Sequence, residues 1–111
     1  MVSPIINFDA NSKKLTYTNA SKIDVAVFEK YPDTEILDMS YGLFEDLPKE
    51  LLKIKNLKVL FLSFGKIRKV PNIVRELEHL NFFGARSCQI ELLTEDCFPE
   101  NLRWLTLHII V

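Results

Sequence analysis

Glycine is scarce in this chain: only three occur in 111 residues, and Gly42, Gly65 and Gly84 form no phosphate-binding loop. Two cysteines, Cys88 and Cys97, are too few to staple a domain of this size, which fits a reducing compartment. Charge of one sign is missing too. Fourteen lysines and arginines face 15 aspartates and glutamates, a net charge of -1, so nothing draws the whole chain to nucleic acid or to an anionic membrane. No apolar run reaches the length of a membrane span, and the opening MVSPIINFDANSKK lacks the basic, apolar, small-residue order of a secretory signal. The expectation is a soluble, cytoplasmic protein.

What is present is core-forming material. The chain is 48% hydrophobic, with eight Phe, three Tyr and one Trp, enough for one domain and too short for two. That material is periodic. LDMSYGLFEDLP at 37–48 and LFLSFGKIRKVP at 60–71 share one skeleton displaced by 23 positions. With Thr34 as position 1, the first unit places Leu37, Met39, Gly42, Phe44, Leu47, Pro48, Leu51 and Ile54 at positions 4, 6, 9, 11, 14, 15, 18 and 21. The second, from Leu57, fills the same slots with Leu60, Leu62, Gly65, Ile67, Val70, Pro71, Val74 and Leu77. A third from Leu80 continues with Phe83, Ala85, Cys88, Ile90 and Leu93 but is one residue shorter and lacks the proline, and a fourth begins at Leu102.

This pattern, L-x-x-L-x-L-x-x-N/C/G-x-L-x-x-L-P, resembles the leucine-rich repeat family over residues 34 to 111. The resemblance implies an α/β fold: a short right-handed solenoid with a parallel sheet on its concave side and helical or irregular returns on its convex side. The units are 34–56, 57–79, 80–101 and a partial 102–111. ILDMS, VLFLS and WLTLH alternate with the period of a strand, and PKELLKIKN and PNIVRELEH each set Pro at a first helical position. Position 9, where the family usually has Asn, carries Gly42, Gly65, Cys88 and Ile110. The two glycines therefore suggest turns that adopt backbone conformations β-carbons disfavour.

Residues 1–33 are expected to be an atypical N-terminal cap, as an open coil end requires. INFD and KLTYT are strand-like runs that form either a hairpin or a last strand joining the main sheet. Ser21, with Asp24 three residues on, marks a helix start, and the helix ends before Pro32.

Chemistry is sparse. His79, Cys88, Cys97 and His108 have no CxxC or HxxxH spacing, so no metal is expected, and no cofactor motif or catalytic constellation appears. The basic stretch Lys49, Lys53, Lys55, Lys58, Lys66, Arg68 and Lys69 falls on convex and loop positions, where solvated charge is ordinary, so no nucleic-acid partner is expected. The stronger signal lies between the core leucines. Position 3 reads Ile36, Val59, Phe82 and Trp104; position 8 reads Tyr41, Phe64, Ser87 and Ile109; position 5 adds Phe61. With Arg86 and His108 these residues are expected to form an apolar concave face that binds another protein, without catalysis. The alternatives are a self-associating structural unit or a fragment of a longer repeat protein. In the homodimer form of that idea, strands 102–111 meet edge to edge through Trp104, Thr106, His108 and Ile109.

Overall fold

The computed structural model describes residues 3–91, 93 and 95–107. Six strands form one sheet in chain order: β1 (Ile5–Asp9), β2 (Lys14–Thr18), β3 (Ile36–Asp38), β4 (Val59–Phe61), β5 (Phe82–Ala85) and β6 (Trp104–Leu107). β1 and β2 are an antiparallel hairpin, and every later pair is parallel. Both readings of the N-terminal runs therefore hold at once, because β2 closes the hairpin and also joins the main sheet. The register Ile36↔Val59↔Phe82 reproduces the 23-residue displacement, and Phe82↔Trp104 shows the shorter third unit.

The convex returns are tighter than the sequence suggests. Lys49–Lys53 and Asn72–Glu76 are 3₁₀ helices. Their amide bonds run three residues back, from Leu51 to Pro48, Ile54 to Leu51, Val74 to Pro71 and Leu77 to Val74. The buried residues explain this: Leu51, Ile54 and Leu57, and equally Val74, Leu77 and Leu80, recur every three positions, the period of a 3₁₀ helix rather than an α-helix.

The inward column is continuous. Leu37, Leu60 and Phe83 are fully buried at position 4, and Met39, Leu62 and Ala85 follow at position 6. Leu105, expected at the same level, is 45% exposed because no described segment packs over it. Residues 14–33 form a coil of the same kind, paired Lys14↔Ile36 and burying Leu15, Tyr17, Ala20 and Phe28. The stacked rings of Phe8 and Tyr31, 4.9 Å apart, fasten β1 to that coil.

Ser21 does not start a helix. The Tyr17 hydroxyl accepts the Asp24 N–H at 2.9 Å and donates to the Lys22 carbonyl, holding this stretch open. The α-helix α1 spans only Ala26–Lys30, and the Asp24 carboxylate accepts the Ala26 N–H. Tyr17→Phe is expected to lower stability by about 1–2 kcal/mol in a urea titration with unchanged far-ultraviolet dichroism. An unchanged midpoint would show that this hydroxyl contributes nothing.

The glycines play a different part from the one their spacing suggests. No glycine has positive φ; the left-handed residues described are Lys13, in the turn before β2, and Asn19, Tyr41, Phe64 and Ser87, one position earlier in each coil. What marks positions 42 and 65 is crowding where a β-carbon would stand. One at Gly42 would run into the Phe44 ring, and one at Gly65 would lie 3.2 Å from the Leu62 carbonyl oxygen. In the next coil Cys88 fills this slot, and its thiol donates to the Leu62 carbonyl at 2.9 Å. That bond ties the third coil to the second from the position where the family usually has Asn.

Burial pushes the Cys88 thiol above its ordinary pKa, partly offset by the Gly65 backbone. The folded state thus holds this proton more tightly than the unfolded chain. Its contribution is fully present below the ordinary thiol value of about 8.5 and is lost as pH rises through the raised value. Stability of the wild type is expected to fall faster above pH ~8.5 than that of Cys88→Ser, which keeps a donor and cannot ionise there. Parallel stability–pH curves for the two proteins would refute this.

Candidate functional site

Strand alternation turns positions 3 and 5 outward. It would turn position 8 inward, since that position shares the parity of positions 4 and 6. The left-handed residue resets the phase, so Tyr41 and Phe64 emerge 55% and 50% exposed while Gly42 and Gly65 point back toward the coil interior. The expectation of outward aromatics at position 8 holds, but through a backbone reversal rather than the strand period.

Two aromatic columns result. Phe61 and Phe82 tilt against each other, centroids 5.3 Å apart, and lie over Gly84, where a β-carbon would come within 3.1 Å of both rings. Tyr41 and Phe64 stack 4.9 Å apart with planes 9° from parallel. Between the columns is an open depression of about 520 Å³, floored by Ser40, Ser63 and Gly84 and edged by Lys14, Asp38, Arg86 and Thr106. This makes the outward sheet face concave. Ile36 and Val59 continue the position-3 row toward Lys14 and are half-buried, whereas Trp104 at the other end is 57% exposed. The N-terminal hairpin extends the sheet edge and does not fold over this face.

Of the expected site residues, Ile36, Tyr41, Val59, Phe61, Phe64, Phe82, Arg86 and Trp104 lie on this face or its rim. His108 and Ile109 lie outside the described residues. Trp104 and Thr106, placed in the dimer edge, are on β6, which pairs with β5. The sequence reading missed the polar members Lys14, Asp38, Ser40 and Ser63. Asp38 stands at the same outward position 5 as Phe61, a signal already present in the aligned units, whereas Lys14, paired with Ile36 at position 3, would have been found only by aligning residues 14–33 as a coil.

The basic stretch is partly neutralised. Lys53 pairs with Glu29 at 2.7 Å, Lys58 with Glu35 at 3.0 Å and Arg68 with Glu91 at 2.9 Å, each bond joining neighbouring coils. Lys58 first and Lys13 second hold the Glu35 carboxyl below its usual range. Exposed pairs of this kind contribute little to stability. Among the described residues no three His, Cys, Asp or Glu side chains are grouped to share a metal ion, and no helix is long and apolar enough to cross a membrane.

Parallel three- and four-residue strands at a 23-residue displacement, inward leucines and short helical returns define a short leucine-rich-repeat solenoid. The chain has distant, partial similarity to prolargin, itself a leucine-rich-repeat protein. It is 39% identical to prolargin of Rattus norvegicus and of Mus musculus over 91 residues, and 36% identical to that of Homo sapiens over 99 residues, matching 78% of this chain in each case. It spans about a quarter of the length of these relatives, 24% of the rodent proteins and 26% of the human one. No family model matches the chain.

Proposed function

We propose that the chain is a non-catalytic module that binds another protein through its concave face. The observation that carries this is the aromatic-walled depression: Phe61, Phe82, Tyr41 and Phe64 are gathered on a surface that the fold leaves uncovered among the described residues. Contiguous aromatic surface with a polar rim has the anatomy of a binding site. The similarity to a leucine-rich-repeat protein supports the same reading.

The test is Phe61→Asp combined with Phe82→Asp. Neither ring belongs to the buried core, so the double variant is expected to keep its dichroism spectrum and most of its thermal midpoint. Loss of aromatic anchors at an interface centre costs about 2 kcal/mol or more each, enough to remove a micromolar partner from an affinity capture. Retention of the same captured proteins by the folded variant would rule this face out. Collapse of the fold would instead place the two rings in the core.

A further inference from the structure

Resting on the protein-binding reading of this face, we infer that the left-handed column contains a built slot for one flat side chain of the partner, with a carboxylate close to it in the partner's sequence. The slot lies beside Phe64, above Ser87.

The column is held in register by the backbone. The amides of Asn19, Tyr41 and Phe64 donate to the carbonyls of Ser40, Ser63 and Arg86 at 3.2, 2.9 and 2.8 Å, each one coil further on. Every rung therefore sits one strand spacing from the last, about 4.8 Å, within the range of centroid separations of offset-stacked rings. Tyr41 and Phe64 realise that geometry at 4.9 Å. Ser87 is the next rung, and its φ of 57° matches the 58° of Phe64 and 61° of Tyr41, so its β-carbon leaves the backbone in the same direction. Only a hydroxymethyl group follows. Phe64 and Ser87 are both exposed there, so among the described residues the place a third ring would take in the stack is open. Bulky residues at positive φ are uncommon, and here two of them carry aromatic rings into mutual contact, so the column is a display device and not a loop accident.

The charge beside the slot selects the ligand. Arg86 is anchored through its backbone, its N–H on the Ser63 hydroxyl at 3.1 Å and its carbonyl on Phe64. Its guanidinium has no ion-pair partner among the described residues, and the side chain edges the same depression as Phe64. A planar guanidinium matches a carboxylate in two parallel bonds. At the opposite end, the short rung of Asn19 beside Tyr41 has Thr18 in the place of Arg86, so the charged slot is at the Ser87 end. A tyrosine, phenylalanine or tryptophan with a glutamate or aspartate one or two residues away fits both features.

Fluorescence anisotropy of the full chain with a labelled synthetic peptide carrying glutamate-glycine-tyrosine tests this. Wild type should bind it at least tenfold more tightly than the same peptide with lysine for glutamate or alanine for tyrosine, and added salt should weaken binding. Ser87→Phe, which supplies the missing ring from the protein itself, should lower the affinity about tenfold, whereas Ser87→Ala should not change it. Arg86→Glu should reverse the preference toward the lysine peptide, an outcome that misfolding cannot imitate. The slot is overturned if Ser87→Phe binds like wild type, if the lysine peptide binds as well as the glutamate one, or if the wild type binds neither at millimolar concentration. Should Ser87→Phe still capture the natural partner while the Phe61, Phe82 double variant does not, the depression remains the docking site and the slot alone is wrong.

Discussion

Leu62→Ala is expected to lower stability by about 2–5 kcal/mol, the range for truncating a fully buried leucine. Leu62 is 1% exposed at the inward position 6 of the central coil. Its amide donates to Gly84 and its carbonyl receives the Cys88 thiol, so the backbone cannot shift to fill the void without breaking bonds to the next coil. A small domain has roughly 5–15 kcal/mol in all, so the thermal midpoint should drop by about 10 °C or more. A midpoint displaced no further than that of Lys66→Ala, an exposed control, would mean that this side chain does not hold the coils together.

A second large effect is expected at Phe28, fully buried on α1 and packed edge-on against Tyr17 at 6.4 Å. Phe28→Ala should cost about 3–5 kcal/mol. The informative part is the shape of the transition. If residues 14–33 are a coil of the solenoid, the loss should shift one cooperative unfolding curve, because neighbouring coils share their interfaces. A separate early transition, with the 34–107 segment melting as in the wild type, would show that the first coil is only appended.

The order and register of β3 to β6 were legible in the sequence, because eight slots recur at a fixed displacement and inward leucines must face one core; the pairing of β1 and β2 was not. The 3₁₀ returns were legible in principle, as the three-residue spacing of Leu51, Ile54 and Leu57 shows. The coil over 14–33 was hidden since Tyr17 and Phe28 fill leucine slots with different shapes, Ala20 stands in the glycine slot and one residue is deleted. The role of the glycines was misplaced by one position. A residue's φ is set by the neighbouring coil's hydrogen bonds, not by its own permissiveness, so Tyr41 and Phe64 take the left-handed conformation next to glycines that do not need it. The aromatic columns could be predicted, and Ser40 and Ser63 stand at one repeat position of units the sequence already aligns; only Lys14 required the register of β2.

Among the described residues, every packing interaction between elements joins a coil only to the one beside it. Under tension applied along the chain, such a molecule has no single breaking point. The antiparallel β1 would open first, one bond pair at a time as a zipper does, since its bonds to β2 are loaded in sequence rather than together. Each coil would then be released in turn, paying out about 80 Å of extended chain for its 23 residues. The force record would be a staircase of similar steps, and the protein would yield gradually while the coils not yet reached kept their binding surface intact.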